Sequence, residues 1–277
     1  MENKIFNIFK KNDGIIIGAI HFPPLLGYPD FPGFDVTLKN SLADLASFEK
    51  GGADAIIIEN NYDVPHKITV GPETTASMTY LACKLKEKTK LPIGISVLWN
   101  DYKAGFAIAK TAGLQFIRVP AFVDDVKTQY GTVRANPKEV TEYRKSIRAD
   151  GIGLFADIHV KHSEIISKYT LVESARLAIQ YGADAIIVTG KWTGDAPKIE
   201  KLKDVRKAVE NFPILCGSGI DEFNIHNLFS LANGAIVSTS LKKGQSDSKD
   251  VNVKPYTARI NATKVKALVD AKEKAPK

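Results

Sequence analysis

Eight short apolar runs recur about every thirty residues, and each ends in polar or glycine-rich residues. No other feature of the sequence constrains the fold as strongly. The runs fall at 15–21, 55–59, 92–98, 116–119, 151–160, 185–188, 213–216 and 234–237. They are dominated by Ile, Val, Ala and Leu with little polar alternation, the composition of parallel strands covered on both faces. Helical periodicity fills the gaps at 37–50, 73–89, 102–112, 137–149, 170–181, 198–210 and 221–231. A last helix is expected at 262–274, where Ala262, Val265, Leu268 and Val269 share a face. Gly51-Gly52 and Gly113 stand where helices should stop, and Asp35 or Thr37, and Asp221, where helices should begin. Eight strands alternating with eight helices over 277 residues predict a (β/α)8 TIM barrel, with 1–277 as a single domain. An open doubly wound sheet is the weaker alternative, because no Gly-x-Gly-x-x-Gly follows the first run.

Two segments stand outside the repeat. In 1–13, Ile5, Phe6, Ile8 and Phe9 fit one side of a short helix expected to cap the bottom of the barrel; a weak membrane contact is the alternative. The other, 241–261, reads as a long basic loop before the last helix. No apolar run approaches the roughly twenty residues of a membrane span, and the N-terminus lacks the apolar block of a secretory signal. The expectation is therefore a cytoplasmic protein, at most membrane-peripheral, with no integral membrane segment. The two cysteines, Cys83 and Cys216, make no disulfide framework and suit a reducing compartment. Net charge is +7, concentrated from Leu241 onward, where ten Lys or Arg face four Asp or Glu. Such an end attracts phosphates or an anionic surface. A single aromatic residue, Tyr256, stands among these basic ones, with no repeated interleaving, so a nucleic-acid surface is not expected.

Polar side chains gather just past the apolar runs, which in a barrel is the working C-terminal rim. The first run delivers His21 and then breaks at Pro23-Pro24. The second ends in Glu59-Asn60-Asn61, the third in Trp99-Asn100-Asp101, and the fourth contains Arg118. In the fifth, Asp157, His159 and Lys161 are spaced by two, so extended chain would point all three one way. His21, Glu59 and Asp157 are the expected acid–base groups. Asn60, Asn100, Arg118, His159 and Lys161 are the expected substrate contacts. The plainer alternative for each is a hydrogen-bonded structural group on the rim.

After the last three runs come Thr189-Gly190, Gly217-Ser218-Gly219 and Ser238-Thr239-Ser240. Small residues with free amides, next to helix starts, make a phosphate cradle, and barrels place it after strands seven and eight. Thr189, Gly190, Gly217, Ser218, Gly219, Thr239 and Ser240 are the expected phosphate-binding residues, with Lys242 and Lys243 adding charge; simple tight turns are the alternative. His21, Glu59, Asp157 and His159 are metal-ligand types, yet His21-Phe22-Pro23 is not the His-x-His of dinuclear hydrolase barrels, and no Cys/His spacing fits zinc. No required metal is predicted and no other cofactor is implied. A Schiff base on Lys161 or Lys191 is the lesser alternative to an anion contact, since neither lies within an apolar run.

In order along the chain, several runs resemble the BtpA family. Ile17-Gly18-Ala19-Ile20-His21-Phe22-Pro23-Pro24-Leu25-Leu26-Gly27 is similar to its opening signature. Ile58-Glu59-Asn60 with Asp63-Val64-Pro65, Pro72-Glu73-Thr74 with Met78, Val97-Leu98 with Asn100-Asp101, and Ala156-Asp157 with Val160-Lys161-His162 follow. Thr193-Gly194, Gly217-Ser218-Gly219, and Gly234 to Val237 with Thr239-Ser240-Leu241-Lys242 complete the set. The chain departs from that pattern at His159, where a less basic residue is usual, and at Lys191. The resemblance implies a TIM barrel of the phosphate-binding kind. It also implies, for phototrophs, a thylakoid-peripheral role in photosystem I biogenesis. The function expected from residues and resemblance together is an enzyme acting on a phosphorylated small molecule, a sugar phosphate or nucleotide-like compound, by isomerase, lyase or glycosyl-transfer chemistry. The alternatives are a non-catalytic, membrane-peripheral assembly factor and a barrel that only binds a phosphorylated effector. A homo-oligomer is compatible with either role.

Overall fold

Residues along a strand face opposite ways in turn, and that alternation sorts the apolar runs of this chain into two cores. The computed structural model describes residues 4–244 and 254–273. Its eight barrel strands are β1 (Ile15–His21), β2 (Ala55–Glu59), β3 (Ile93–Ser96), β4 (Phe116–Val119), β7 (Gly153–Ile158), β9 (Ala185–Thr189), β10 (Ile214–Gly217) and β11 (Gly234–Val237). They pair in parallel, in chain order, and β11 closes on β1. One parity set, including Ile15, Ile17, Ile57, Phe116, Phe155, Ile187 and Leu215, fills the lumen. The other, including Ile16, Ile20, Ile58, Ile95, Leu154 and Val188, packs outward against the helices. Continuing the inward set to the C-terminal ends of the strands brings His21, Glu59, Ser96, Arg118, Asp157, Thr189 and Gly217 to the top of the lumen.

The helices are α1 (Lys4–Phe9), α2 (Phe34–Gly51), α3 (Pro72–Lys86), α4 (Tyr102–Ala112), α5 (Pro137–Ser146), α6 (Leu171–Gln180), α7 (Ile199–Val209), α8 (Ile225–Phe229) and α9 (Ala262–Glu273). Gly52 and Gly113 end α2 and α4 in the left-handed conformation, as expected of C-terminal glycines. The start of α2 differs from expectation: Gly33 precedes it and neither Asp35 nor Thr37 caps it with a side chain. The helix expected at 221–231 is shorter, because Asp221 accepts from the amides of Phe223 and Asn224 and holds a turn instead. Helix α1 lies under the barrel, with Ile5 and Phe9 buried in the lumen core and Phe9 against the rings of Phe116 and Phe155. Residues 245–253 of the expected basic loop lie outside the described residues. Among the described residues, no helix is long and apolar enough to cross a membrane.

The connection at 121–136 contains structure that hydrophobic patterning did not predict. A hairpin of β5 (Val126–Thr128) and β6 (Gly131–Val133) pairs with β8 (Glu164–Ile165) in a three-stranded antiparallel sheet beside the barrel mouth. Its strands are too short to show a period. The fifth run, expected to stay extended over 151–160, stops being strand at Ile158, and His159 turns into the left-handed region at φ 47°.

Candidate active site at the barrel mouth

The C-terminal ends of the strands open on a cavity of about 380 Å3. Its floor is a charge network. Arg118 donates from Nε and Nη2 to the two oxygens of Asp157, both at 2.8 Å, and from Nη1 to Glu59 Oε1 at 3.1 Å. The second oxygen of Glu59 faces His21 Nε2 at 3.6 Å. Burial opposes the guanidinium charge, but the carboxylates of Asp157 and Glu59 outweigh it and raise the Arg118 pKa. His21 is pushed well below its ordinary value, by burial first and then by Lys242, Lys161 and Arg118. It is therefore a neutral imidazole at physiological pH.

Lys161 enters from the loop after β7. Its Nζ reaches Ser218 Oγ at 3.3 Å and Thr193 Oγ1 at 3.4 Å. Burial, followed by the Arg118 charge, lowers its pKa to about 8, so near neutrality it exchanges its proton far more readily than an ordinary lysine.

Beyond Lys161 lies the loop after β10. Ser218 holds a left-handed φ of 77°, donates to Trp192 O at 3.0 Å and accepts from Gly194 N. Strain of this kind persists where neighbours over-determine it, commonly at ligand sites. Gly219, at φ +64°, admits the 194–196 backbone: a Cβ there would stand 2.2 Å from Ala196 N. Among the described residues, the amides of Gly219, Ile220, Thr239 and Ser240 find no acceptor within the protein, and all four residues line the cavity.

The sequence-expected residues are distributed unevenly over this site. His21, Glu59, Arg118, Lys161, Gly217, Ser218, Gly219, Thr239 and Ser240 line the cavity. Asp157 lies beneath it, with no exposed side-chain surface. Asn60 and Asn100 spend their amides as braces: Asn60 bonds Leu98 N and O at 2.7 and 3.1 Å, and Asn100 bonds Ala121 N and O at 2.8 and 3.0 Å. Thr189 accepts from Lys161 N and shapes that turn. The missing side chain of Gly190 makes room for the Asp195 carbonyl. His159 does not share the direction of Asp157 and Lys161, because the strand ends before it. Its ring meets Tyr169 O at 3.1 Å and lies 3.9 Å from Asp124, away from the cavity.

Sequence reasoning gave no role to His66, Trp99, Gln129, Tyr130 and His162, which also line the mouth, as does Ser238 of the expected cradle. Burial lowers His66 to about 4, and burial with Lys161 and Arg118 does the same for His162. For Gln129 and Tyr130 the available signal was the long connection at 121–136, since long loops in compact domains are commonly functional.

Strands, helices and mouth together define a (β/α)8 barrel with a cavity lined by both charged and apolar side chains at its C-terminal face. The family model described as "BtpA family" matches residues 12–273, and the chain belongs to that family. A relative from Pyrococcus horikoshii is 35% identical over 93% of this chain and 96% of its own. The photosystem I biogenesis protein BtpA of Synechocystis is 34% identical over 93% of this chain and 90% of its own. Among solved structures, the (S)-3-O-geranylgeranylglyceryl phosphate synthase of Thermoplasma acidophilum, in complex with its substrate sn-glycerol-1-phosphate, superposes with a TM-score of 0.59 at 13% identity over 96% of each chain. The N-(5'-phosphoribosyl)anthranilate isomerase of Pyrococcus furiosus does so with a TM-score of 0.54 at 13% identity, over 94% of this chain and 98% of that one. These two likenesses are of fold.

Proposed function

We propose that this protein is an enzyme acting on a phosphorylated small molecule, a sugar phosphate or nucleotide-like compound. The observation that carries the reading is the junction of two devices in one cavity. Among the described residues, the amides of Gly219, Ile220, Thr239 and Ser240 have no acceptor and belong to residues lining the same cavity as Lys161, whose Nζ reaches Ser218 Oγ, and the Glu59–Arg118–His21 group lies on its floor. Amides at the ends of strands suit phosphate oxygens. Glu59 has one oxygen held by Arg118 and the other turned toward His21, so it is the candidate proton acceptor. Lys161 either donates a proton or neutralises the phosphate. Neutral His21 orients a carbonyl or hydroxyl. Asp157 does not touch the cavity and acts by positioning Arg118. Proton transfer of this kind fits isomerase, lyase or glycosyl-transfer chemistry.

Calorimetric titration with ribose 5-phosphate tests the reading. Wild-type protein is expected to bind it, and Lys161→Met to bind it at least about tenfold more weakly, the loss of one charge-assisted contact. Equal binding by both would remove Lys161 from the phosphate site.

The name of the Synechocystis relative supports a second reading, a role in photosystem I assembly. Salt-sensitive sedimentation with anionic vesicles, unaffected by Lys161→Met, would favour it.

A further inference from the structure

The rim opposite the proposed phosphate cradle is built from uncharged rings. In a closed barrel of order β1-β2-β3-β4-β7-β9-β10-β11, β3 stands across the axis from β10, and β4 across from β11. The cradle follows β10 and β11. Trp99 follows β3, Gln129 and Tyr130 form the tip of the hairpin after β4, and His66 lies in the neighbouring loop after β2. Acid–base groups occupy the floor between the two sides. A ligand held by phosphate on one side, with its reacting centre over Glu59 and Lys161, must present its far end to these rings.

That wall is braced before any ligand arrives. Trp99 N donates to Lys67 O at 2.8 Å, and Asn100 N to Ile68 O at 3.3 Å, tying the His66 loop to the Trp99 loop. The carboxamide of Asn60 clamps the backbone at Leu98, just before Trp99, and that of Asn100, just after it, ties this loop to Ala121 after β4. Tyr130 sits edge-on to His66, with ring centroids 5.1 Å apart. His66 itself is only 5% exposed, and among the described residues neither of its ring nitrogens has a hydrogen-bond partner. Buried imidazole nitrogens are normally satisfied, and leaving both unmade is costly. A neutral imidazole offers one donor and one acceptor, the pattern that matches a heterocycle edge. Trp, Tyr and His faces stack planar rings well, whereas an open-chain sugar gains little from them.

We propose that the ligand of this site is a phosphorylated pentose carrying an uncharged heteroaromatic ring, with the ring held at Trp99 and Tyr130 and its polar edge read by His66. This rests on the phosphate reading above and narrows it, against simple sugar phosphates. Calorimetry with ribose 5-phosphate and with the four ribonucleoside 5'-monophosphates separates the two. At least one monophosphate is expected to bind about tenfold or more tightly than ribose 5-phosphate, the scale of one base–aromatic stack. In Tyr130→Ala, a change at a partly exposed hairpin tip, and in His66→Ala, that ratio is expected to fall toward one. Ribose 5-phosphate binding as tightly as every monophosphate would overturn this inference while leaving the phosphate site standing. A ratio unmoved by both variants would also overturn it, because the ring would lie elsewhere. Failure of every phosphorylated probe to bind would overturn the phosphate reading and this one together.

Discussion

Arg118 keeps a charge at the bottom of the mouth because two carboxylates meet it there. A buried ion pair adds little net stability as a unit, but removing one member strands the other. Asp157→Ala is therefore expected to cost on the order of 3–5 kcal/mol in urea unfolding. A loss below about 1 kcal/mol would show that Glu59 alone holds the guanidinium. Strand parity made Asp157 legible in the sequence as an inward-facing carboxylate, but the pattern could not say that both its oxygens are taken by Arg118. The expectation for His159 rested on the same parity and lapsed where the chain left the strand at Ile158. Lys161 carries the pH prediction. Its pKa is lowered from 10.5 to about 8, so the protonated form that favours a phosphate disappears as pH rises through about 8. Ribose 5-phosphate affinity should fall between pH 7 and 9.5 in the wild type and stay flat in Lys161→Met; a wild-type profile as flat as that of the variant would count against the contact.

Among the elements, those with a strong period were readable and those built on turns were not. The eight barrel strands and most of the helices surrounding them follow directly from apolar runs and glycine stops. The hairpin of β5 and β6 has three residues in each strand, too few for alternation to register. The loop after β1 is visibly rich in proline, but its attachment was not legible in the sequence: Asp63 Oδ1, from the loop after β2, accepts the Leu25 amide at 2.8 Å. Burial pushes Asp63 up to about 6 even though the Leu25 amide and Asn60 pull it down. Asp63→Ala should release this clip, and amide exchange at Leu25 should quicken by about tenfold or more, as expected for the loss of a hydrogen bond to a charged group worth roughly 1.5–3 kcal/mol. Unchanged protection at Leu25 would mean that the loop is held by its apolar contacts instead.

For the whole molecule, the barrel is closed below and open above. Helix α1 fills the lower end with Ile5 and Phe9, and Phe9 packs against Phe116 at 5.7 Å and Phe155 at 6.1 Å between ring centroids. Phe9→Ala is expected to lower unfolding stability by about 3 kcal/mol, the range for truncating a buried phenylalanine. A change under about 1 kcal/mol would make the helix an ornament on an already closed core. At the upper end, the convergence of distant segments was legible because every expected group lay near or just past the C-terminal end of an apolar run. The division of labour between cavity-lining residues and braces was not, since a carboxamide that binds substrate and one that ties two loops look alike in sequence. The central claim is that the loops after β10 and β11 cradle a phosphate. A crystal structure after soaking with ribose 5-phosphate tests it most directly. Phosphate density is expected against the amides of Gly219 and Ser240, within reach of Lys161 Nζ; density confined to the surface lysines, or an empty mouth at saturating ligand, would rule the cradle out.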